Sequence, residues 1–272
     1  VSPVSRLARV VPIGMTVRRG KRQDLTGDPT LQTIEPREPA SEIKFVVDPD
    51  LGERIREWAR AHIEPDPHGS GPFGDEYRTA SLYLDTDQHD VLHRRDSFGG
   101  AKYRIRRYAD GGFVFVERKL RSTGVVVKRR TRTSFDLLPR LWQLEPEGEW
   151  SGDWFRRRVL IHDLRPACQV SYHRIARGVL VNGGRLTLDD SIRVAPVNEV
   201  RFDGDAGAPI LDQQLVLELK FQGYLPPAFK RLIEQCRLSP QPISKYRIGM
   251  TTIRHLGARD QPPTLVAGDG HV

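Results

Sequence analysis

The sequence predicts an α+β fold: an eight-stranded antiparallel β-barrel with flanking helices. Roughly eight short runs are rich in β-branched and aromatic residues and are bounded by Gly, Pro, Asn or Asp. Most connections between them are of hairpin length, which favours antiparallel pairing. The third observation is residues 101–133, AKYRIRRYADGGFVFVERKLRSTGVVVKRRTRT. In a strand, residues two apart share a face. Lys102, Arg104 and Arg106 therefore share a face of one strand, Glu117 and Lys119 of the next, and Lys128, Arg130 and Arg132 of a third. A sheet with that much charge of one sign repels itself unless an anion lies against it. Eight antiparallel strands can close around an interior. With the charged faces inward, the interior is a polar tunnel, and the apolar faces pack outward beneath the helices.

Taken in order, residues 1–40 mix Pro, Gly, Thr and both charges without periodicity and read as a flexible leader. Glu42–Val47 is the first strand. Asp48 or Asp50 caps a helix with Leu51, Ile55, Trp58 and Ala59 at helical spacing. Residues 65–76 form a loop. Tyr77–Asp85 is a strand with Tyr77, Thr79, Ser81 and Tyr83 on one face. A short helix capped by Thr86 or Asp87 precedes the three basic strands. Phe135–Pro146 is partly helical, and Asp153–Asp163 forms a helix. Strands return at Ala167–Ala176, Gly184–Asp189 and Gln214–Gln222, with Asn182-Gly183 as a hairpin turn. Ala228–Arg237 is amphipathic, with Phe229, Leu232, Ile233 and Cys236 as its stripe. Ser244–His255 is the last helix, and 257–272 reads as a disordered tail. The main domain thus spans 41–256.

At 272 residues the chain can bury a sizeable core. Its net charge of +8 points to an anionic partner without choosing among nucleic acid, phosphorylated metabolite, polyanion and membrane surface. No run of about 18 apolar residues exists, so no transmembrane helix is expected. The N-terminal segment lacks a continuous apolar core and a cleavage site, so no signal peptide is expected and the cytosol is the expected compartment. Cys168 and Cys236 have no CxxC or metal-ligand spacing and read as reduced thiols. Nothing resembles a Walker loop, a GxGxxG turn or a GxSxG elbow.

Among the basic strands, Tyr103 falls on the face opposite Lys102, Arg104 and Arg106. A single-strand nucleic-acid platform would interleave aromatic residues for base stacking. Phosphate chemistry without base stacking is the reading that remains, with nucleic acid disfavoured. Glu42/Lys44, Glu117/Lys119 and Glu218/Lys220 each place a Glu and a Lys two apart on a strand face. Such a carboxylate can pair with its neighbours, or hold a divalent metal that bridges phosphates. Glu218 is the best metal candidate, because LVLELKF is otherwise apolar, and Glu42 and Glu117 are the others. Arg174 and Arg185 add two inward cations. His173 points the other way. His89 and His93 form an HxxxH pair, but Asp90 stands where zinc proteases have Glu, so they read as surface histidines.

The motifs E-x-K-F at 42–45, SLYLDT at 81–86, KYRIR at 102–106, ERK at 117–119, SYHR at 171–174, RLTLDDSI at 185–192, LELKF at 217–221 and SKYRIGM at 244–250 occur in one order. In that order the chain resembles the vacuolar transporter chaperone (VTC) domain, a member of the triphosphate tunnel metalloenzymes within the CYTH-like superfamily. The resemblance implies an eight-stranded tunnel that binds triphosphate or polyphosphate with Mn²⁺ or Mg²⁺. It implies phosphate binding by Lys44, Arg104, Arg106, Lys119, Arg174, Arg185, Lys220 and Lys245, with Glu218 as metal ligand. Many members of the superfamily begin with ExExK. Here Ala40 stands at the first Glu, which fits the polymerase-like branch better than a two-metal hydrolase. The implied reaction is polyphosphate synthesis from ATP, with Arg104, Arg106, Lys119 and Lys220 neutralising the γ-phosphate. A metal-dependent triphosphatase and a non-catalytic polyphosphate- or nucleotide-binding module are the alternatives.

Overall fold

A computed structural model describes residues 40–108, 111–122, 125–179 and 184–259, all in one compact unit. The expected leader, except Ala40, and the Asn182-Gly183 turn lie outside the described residues. The strands are β1 (Ala40–Val47), β2 (Glu64–Pro65), β3 (Glu76–Asp85), β4 (Ala101–Tyr108), β5 (Phe113–Ser122), β6 (Val125–Ser134), β7 (Arg165–Val179), β8 (Gly184–Pro196), β9 (Ala208–Pro209) and β10 (Leu215–Gln222). The helices are α1 (Pro49–His62), α2 (Asp90–His93), α3 (Asp153–Ile161), α4 (Pro227–Gln235) and α5 (Lys245–Arg259). Short 3₁₀ turns cover Asp96–Phe98 and Phe135–Trp142.

Eight strands pair in the order β1-β10-β8-β7-β3-β4-β5-β6, every ladder antiparallel. The ladder path ends at β1 and β6, which do not pair with each other among the described residues. The expected barrel is therefore a curled sheet whose last seam is not made by backbone hydrogen bonds. Two other contacts lie at that seam. Lys119 of β5 reaches Glu42 of β1 at 2.6 Å, and the Gln241 N–H donates to the Lys44 carbonyl at the free edge of β1.

The convex face is apolar, as expected. Phe45, Leu186, Leu188, Leu217, Leu219 and Phe221 pack under α1 and α4 through Ile55, Ala59, Phe229 and Leu232. Asp48 caps α1 by accepting from the Leu51 N–H at 2.8 Å, which satisfies one of its free amides. The cap expected at Thr86 or Asp87 is shared differently. Thr86 accepts from the Asp90 N–H, while buried Asp85 accepts from the Val91 and Leu92 N–H groups. Asp87 caps nothing there. No helix among the described residues is long and apolar enough to cross a membrane.

The last helix departs most from expectation. α5 continues to Arg259, past the Gly257 start expected for the tail. It also packs on the concave face rather than outside. Tyr246 stacks on Tyr83 with centroids 4.9 Å apart, and its hydroxyl donates to Asp85. Gly249 sits where an added Cβ would meet Val194 at 2.8 Å, so only glycine permits this approach. The lower part of the concave face is apolar (Tyr83, Cys168, Val170, Val194, Val216), which is why a helix settles there. α5 thus fills one end of the interior. The other end stays open.

Candidate functional site

Cross-strand register builds the concave lining. Residues directly opposite one another share a face. Lys44 lies opposite Glu218, Glu42 opposite Lys220, and Lys220 opposite Arg185. On the far wall Arg104 lies opposite Glu117, Glu117 opposite Arg130, and Lys102 and Lys128 both opposite Lys119. Tyr77 faces Arg174, and Ser81 faces Arg106. The concave face therefore carries all twelve of the predicted site residues, most of them in two carboxylate-centred clusters, with Lys102 between the two and Arg185 apart from both.

The first cluster centres on Glu42 and Glu218. Glu218 binds Lys44 at 2.7 Å, Lys220 at 3.2 Å and Lys245 at 3.4 Å. Glu42 binds Lys119 at 2.6 Å, Lys44 at 3.4 Å and Lys220 at 3.8 Å. Burial alone would raise the Glu218 carboxyl. Lys44, Lys245 and Lys220 overcome this and hold it well below the usual carboxylate range. Burial and the repulsion of Glu218 would raise Glu42, yet Lys44, Lys220 and Lys119 hold it low. Beneath this cluster, Asp189 is fully buried and grips Arg174 with two hydrogen bonds of 2.6 and 2.7 Å. It also holds Lys245 at 2.7 Å. Sequence reading did not single out Asp189, though it lies in the RLTLDD motif and four residues from Arg185 on the same face.

The second cluster centres on Glu117, which is 2% exposed. Arg104 meets it at 2.5 Å, Lys128 at 2.8 Å and Arg130 at 3.1 Å. Burial would raise this carboxyl too, but Arg104, Arg106 and Lys128 hold it well below the usual range. Arg106 donates to Ser81 Oγ and to the Tyr172 hydroxyl, each at 2.9 Å. Lys102 donates to Ser244 Oγ at 3.0 Å. Among the described residues, neither Arg106 nor Lys102 makes a carboxylate ion pair. Burial, then Lys44, Lys119 and Arg104, push the Lys102 ammonium down to about 7.

At the open end the lining turns aromatic. Tyr77 and Tyr108 meet edge-on at 5.6 Å, and Tyr108 meets Phe115 at 5.7 Å. The Tyr77 hydroxyl accepts from Arg185 at 2.7 Å, and Arg185 also binds Asp66 at 2.9 Å. Tyr108, like Phe113 and Phe115, was not among the predicted site residues.

Outside the interior, His173 lies on the convex face between Glu76 (3.5 Å) and Asp190 (3.6 Å), as expected. His89 has a left-handed backbone and precedes α2, so it does not share a helix face with His93. Both cysteines are free thiols.

A divalent metal was expected at Glu218, Glu42 and Glu117. The structure brings Glu42 and Glu218 together, while Glu117 sits in the other cluster. Among the described residues, no group of three or more His, Cys, Asp or Glu is placed to hold a metal. The pair that remains is two hard carboxylates, Glu42 and Glu218, among the ammonium groups of Lys44, Lys119, Lys220 and Lys245. That donor set fits Mg²⁺ or Mn²⁺, which bind through one or two carboxylates and complete their shell with phosphate oxygens and water. The lysines that hold these oxygens would then turn to the phosphates.

A curled antiparallel sheet with a cation-lined concave face defines a tunnel-type protein suited to a compact polyanion. The family profile described as the VTC domain matches residues 40–254. The chain belongs to the VTC-domain family. No curated protein matches it. Among solved structures, a candidate adenylate cyclase from Bacillus halodurans is 16% identical, with a TM-score of 0.49 over 76% of this chain and 94% of that one. A Hippeastrum protein, described by its dominant triphosphatase activity, is 16% identical, with a TM-score of 0.44 over 79% and 96%. The PH1819 protein of Pyrococcus horikoshii is 13% identical, with a TM-score of 0.43 over 78% and 99%.

Proposed function

We propose that this chain is a polyphosphate polymerase that transfers the γ-phosphate of ATP to the end of a growing inorganic polyphosphate chain. The observation that carries this reading is the state of the interior carboxylates. Glu42, Glu117 and Glu218 are each tied to three cations, which leaves them poorly placed to take a proton. Attack by water would need a base. The terminal oxygen of a phosphate chain arrives already anionic and needs none. The two free cysteines support a reducing compartment, the cytosol.

In this reading Arg104 and Arg106 hold the γ-phosphate through their planar forks, and Lys119 and Lys220 neutralise its oxygens from the opposite wall. Lys44, Lys102 and Lys245 bind flanking phosphates, with Arg174 behind them and Arg185 at the mouth. A divalent cation at Glu42 and Glu218 would supply further neutralisation of non-bridging oxygens. The bond from the γ-phosphorus to the β–γ bridging oxygen breaks, a bond to the chain-end oxygen forms, and ADP leaves. Catalysis is positioning and electrostatic stabilisation.

One observation favours a second reading, a triphosphatase. Burial would raise the Tyr108 phenol, but Arg106, Arg130 and Lys128 outweigh it and bring it down to about 7. A phenolate there could take a proton from water. Incubation of the purified chain with ATP and Mn²⁺, followed by gel analysis, separates the two. A polyphosphate ladder is expected. Phosphate release from tripolyphosphate with no ladder from ATP selects the triphosphatase, and binding without turnover selects a non-catalytic module.

A further inference from the structure

The open end of the interior carries a feature that phosphate binding does not require. Arg130 lies over Phe115, its guanidinium carbon 3.4 Å from the ring centroid, and Arg132 lies over Phe113 at 3.7 Å. Only a near-parallel guanidinium reaches such separations. The two rings meet edge-to-face at 5.6 Å, so the two pairs are neighbours whose planes stand nearly at right angles. Both arginines are exposed, and Arg132 makes no ion pair among the described residues. Arg132 thus turns one plane to a ring and the other to solvent, while Arg130 lies between Phe115 and Tyr108, 5.2 Å from the Tyr108 centroid. A guanidinium held flat in this way is a stacking surface for a nucleobase.

We propose that the Arg132–Phe113 and Arg130–Phe115 pairs form a platform for the base of a nucleoside triphosphate. Its phosphates run inward along the basic lining. The inference rests on the phosphate-binding reading above and adds the orientation of the substrate. α5 packs on the apolar part of the concave face away from the platform, so the base lies at the aromatic end and the phosphates extend into the basic lining. The platform selects a base-bearing donor over a bare phosphate chain. It does not distinguish one base from another, because every base has a π-face.

The test is calorimetric titration of the full chain with ATP and, separately, with tripolyphosphate. Arg132→Lys keeps the charge and loses the plane; Phe113→Leu keeps bulk and loses the ring. Each variant should weaken ATP binding about 5- to 50-fold and leave tripolyphosphate binding unchanged. Equal losses for both ligands, or no loss for either, overturn the platform. A wild-type chain that binds tripolyphosphate but not ATP overturns it as well. A wild-type chain that binds ATP but not tripolyphosphate instead defeats the phosphate-binding reading, and the variants' effect on ATP still decides the platform.

Discussion

The two clusters of the interior use different cations. Around Glu42 and Glu218 every partner is a lysine: Lys44, Lys119, Lys220 and Lys245. Around Glu117 two of the three ion-pair partners are arginines, Arg104 and Arg130. An ammonium is a point charge on a flexible stem and can leave one partner for another. A guanidinium is a planar fork whose position is set by several bonds at once. The lysine cluster is thus suited to exchange, releasing its carboxylates when another cation and an anion arrive together. The arginine cluster is suited to hold one fixed shape, with Glu117 as the strut that spaces it. Glu218 and Glu117, similarly buried and both held well below the usual carboxylate range, are therefore suited to different work.

Glu218→Gln is the sharpest way to break this contrast. It removes the charge that anchors the exchangeable cluster, and metal-dependent turnover should fall at least about 100-fold, as when a charge-stabilising group is lost from a catalytic site. Full activity of this variant with Mn²⁺ would remove Glu218 from the site. Arg104→Ala and Arg106→Ala act on the fixed cluster. Each deletes charge-assisted hydrogen bonds worth about 1.5–3 kcal/mol, so ATP and tripolyphosphate should both bind about 10- to 100-fold more weakly in titrations. Unchanged affinity in both variants would put these residues outside the binding path.

The smallest effect is a pH dependence at Lys102, which lies between the clusters. Its free-state value of about 7 lies below the ordinary lysine value, so the empty chain loses this charge as pH rises through neutrality. Anion binding favours the charged form and must take up a proton above that point. Tripolyphosphate affinity should therefore fall as pH rises from 7 towards 9, by at most about tenfold per pH unit for one proton. Lys102→Arg, charged throughout, should make the profile shallower, leaving what Tyr108 and Lys128 contribute in the same range, and a profile unchanged by this variant would assign the proton elsewhere.

Much of the fixed cluster was legible in the sequence because a period of two survives in KYRIR and ERK. Alternating charge and apolar residues names the face directly, and the register then follows from pairing. The aromatic rim was hidden by the same logic. In FVFVERK both faces begin apolar; parity with Glu117 puts Phe113 and Phe115 on the charged face, but nothing in the pattern says that Arg130 and Arg132 of β6 stack on them. The placement of α5 was hidden for another reason. Its pattern tells which side of the helix is apolar but not which surface receives it. That surface is made by Tyr83, Cys168, Val170, Val194 and Val216, brought together from four strands far apart in sequence. The pairing of Glu42 with Glu218 was half legible: the E-x-K repeats gave the residues, but only the ladder between β1 and β10 separates them from Glu117.

The unpaired seam between β1 and β6 makes the protein a belt with a buckle. Around the rest of the circumference the wall is stitched by backbone ladders, which no ligand can unpick cheaply. At the seam, among the described residues, Lys119 of β5 pairs with Glu42 of β1, while the segment before α5 meets β1 through Gln241–Lys44 and β4 through Lys102–Ser244. Lys119 is 38% exposed there, so the pair contributes only about 1 kcal/mol or less. A ligand that draws this ammonium inward undoes the buckle as it fills the cavity. Loading should then loosen the girth: hydrogen exchange along β1 and β6 is expected to quicken with tripolyphosphate bound, even as exchange across the other strands slows. A uniform slowing would mean that the belt stays fastened.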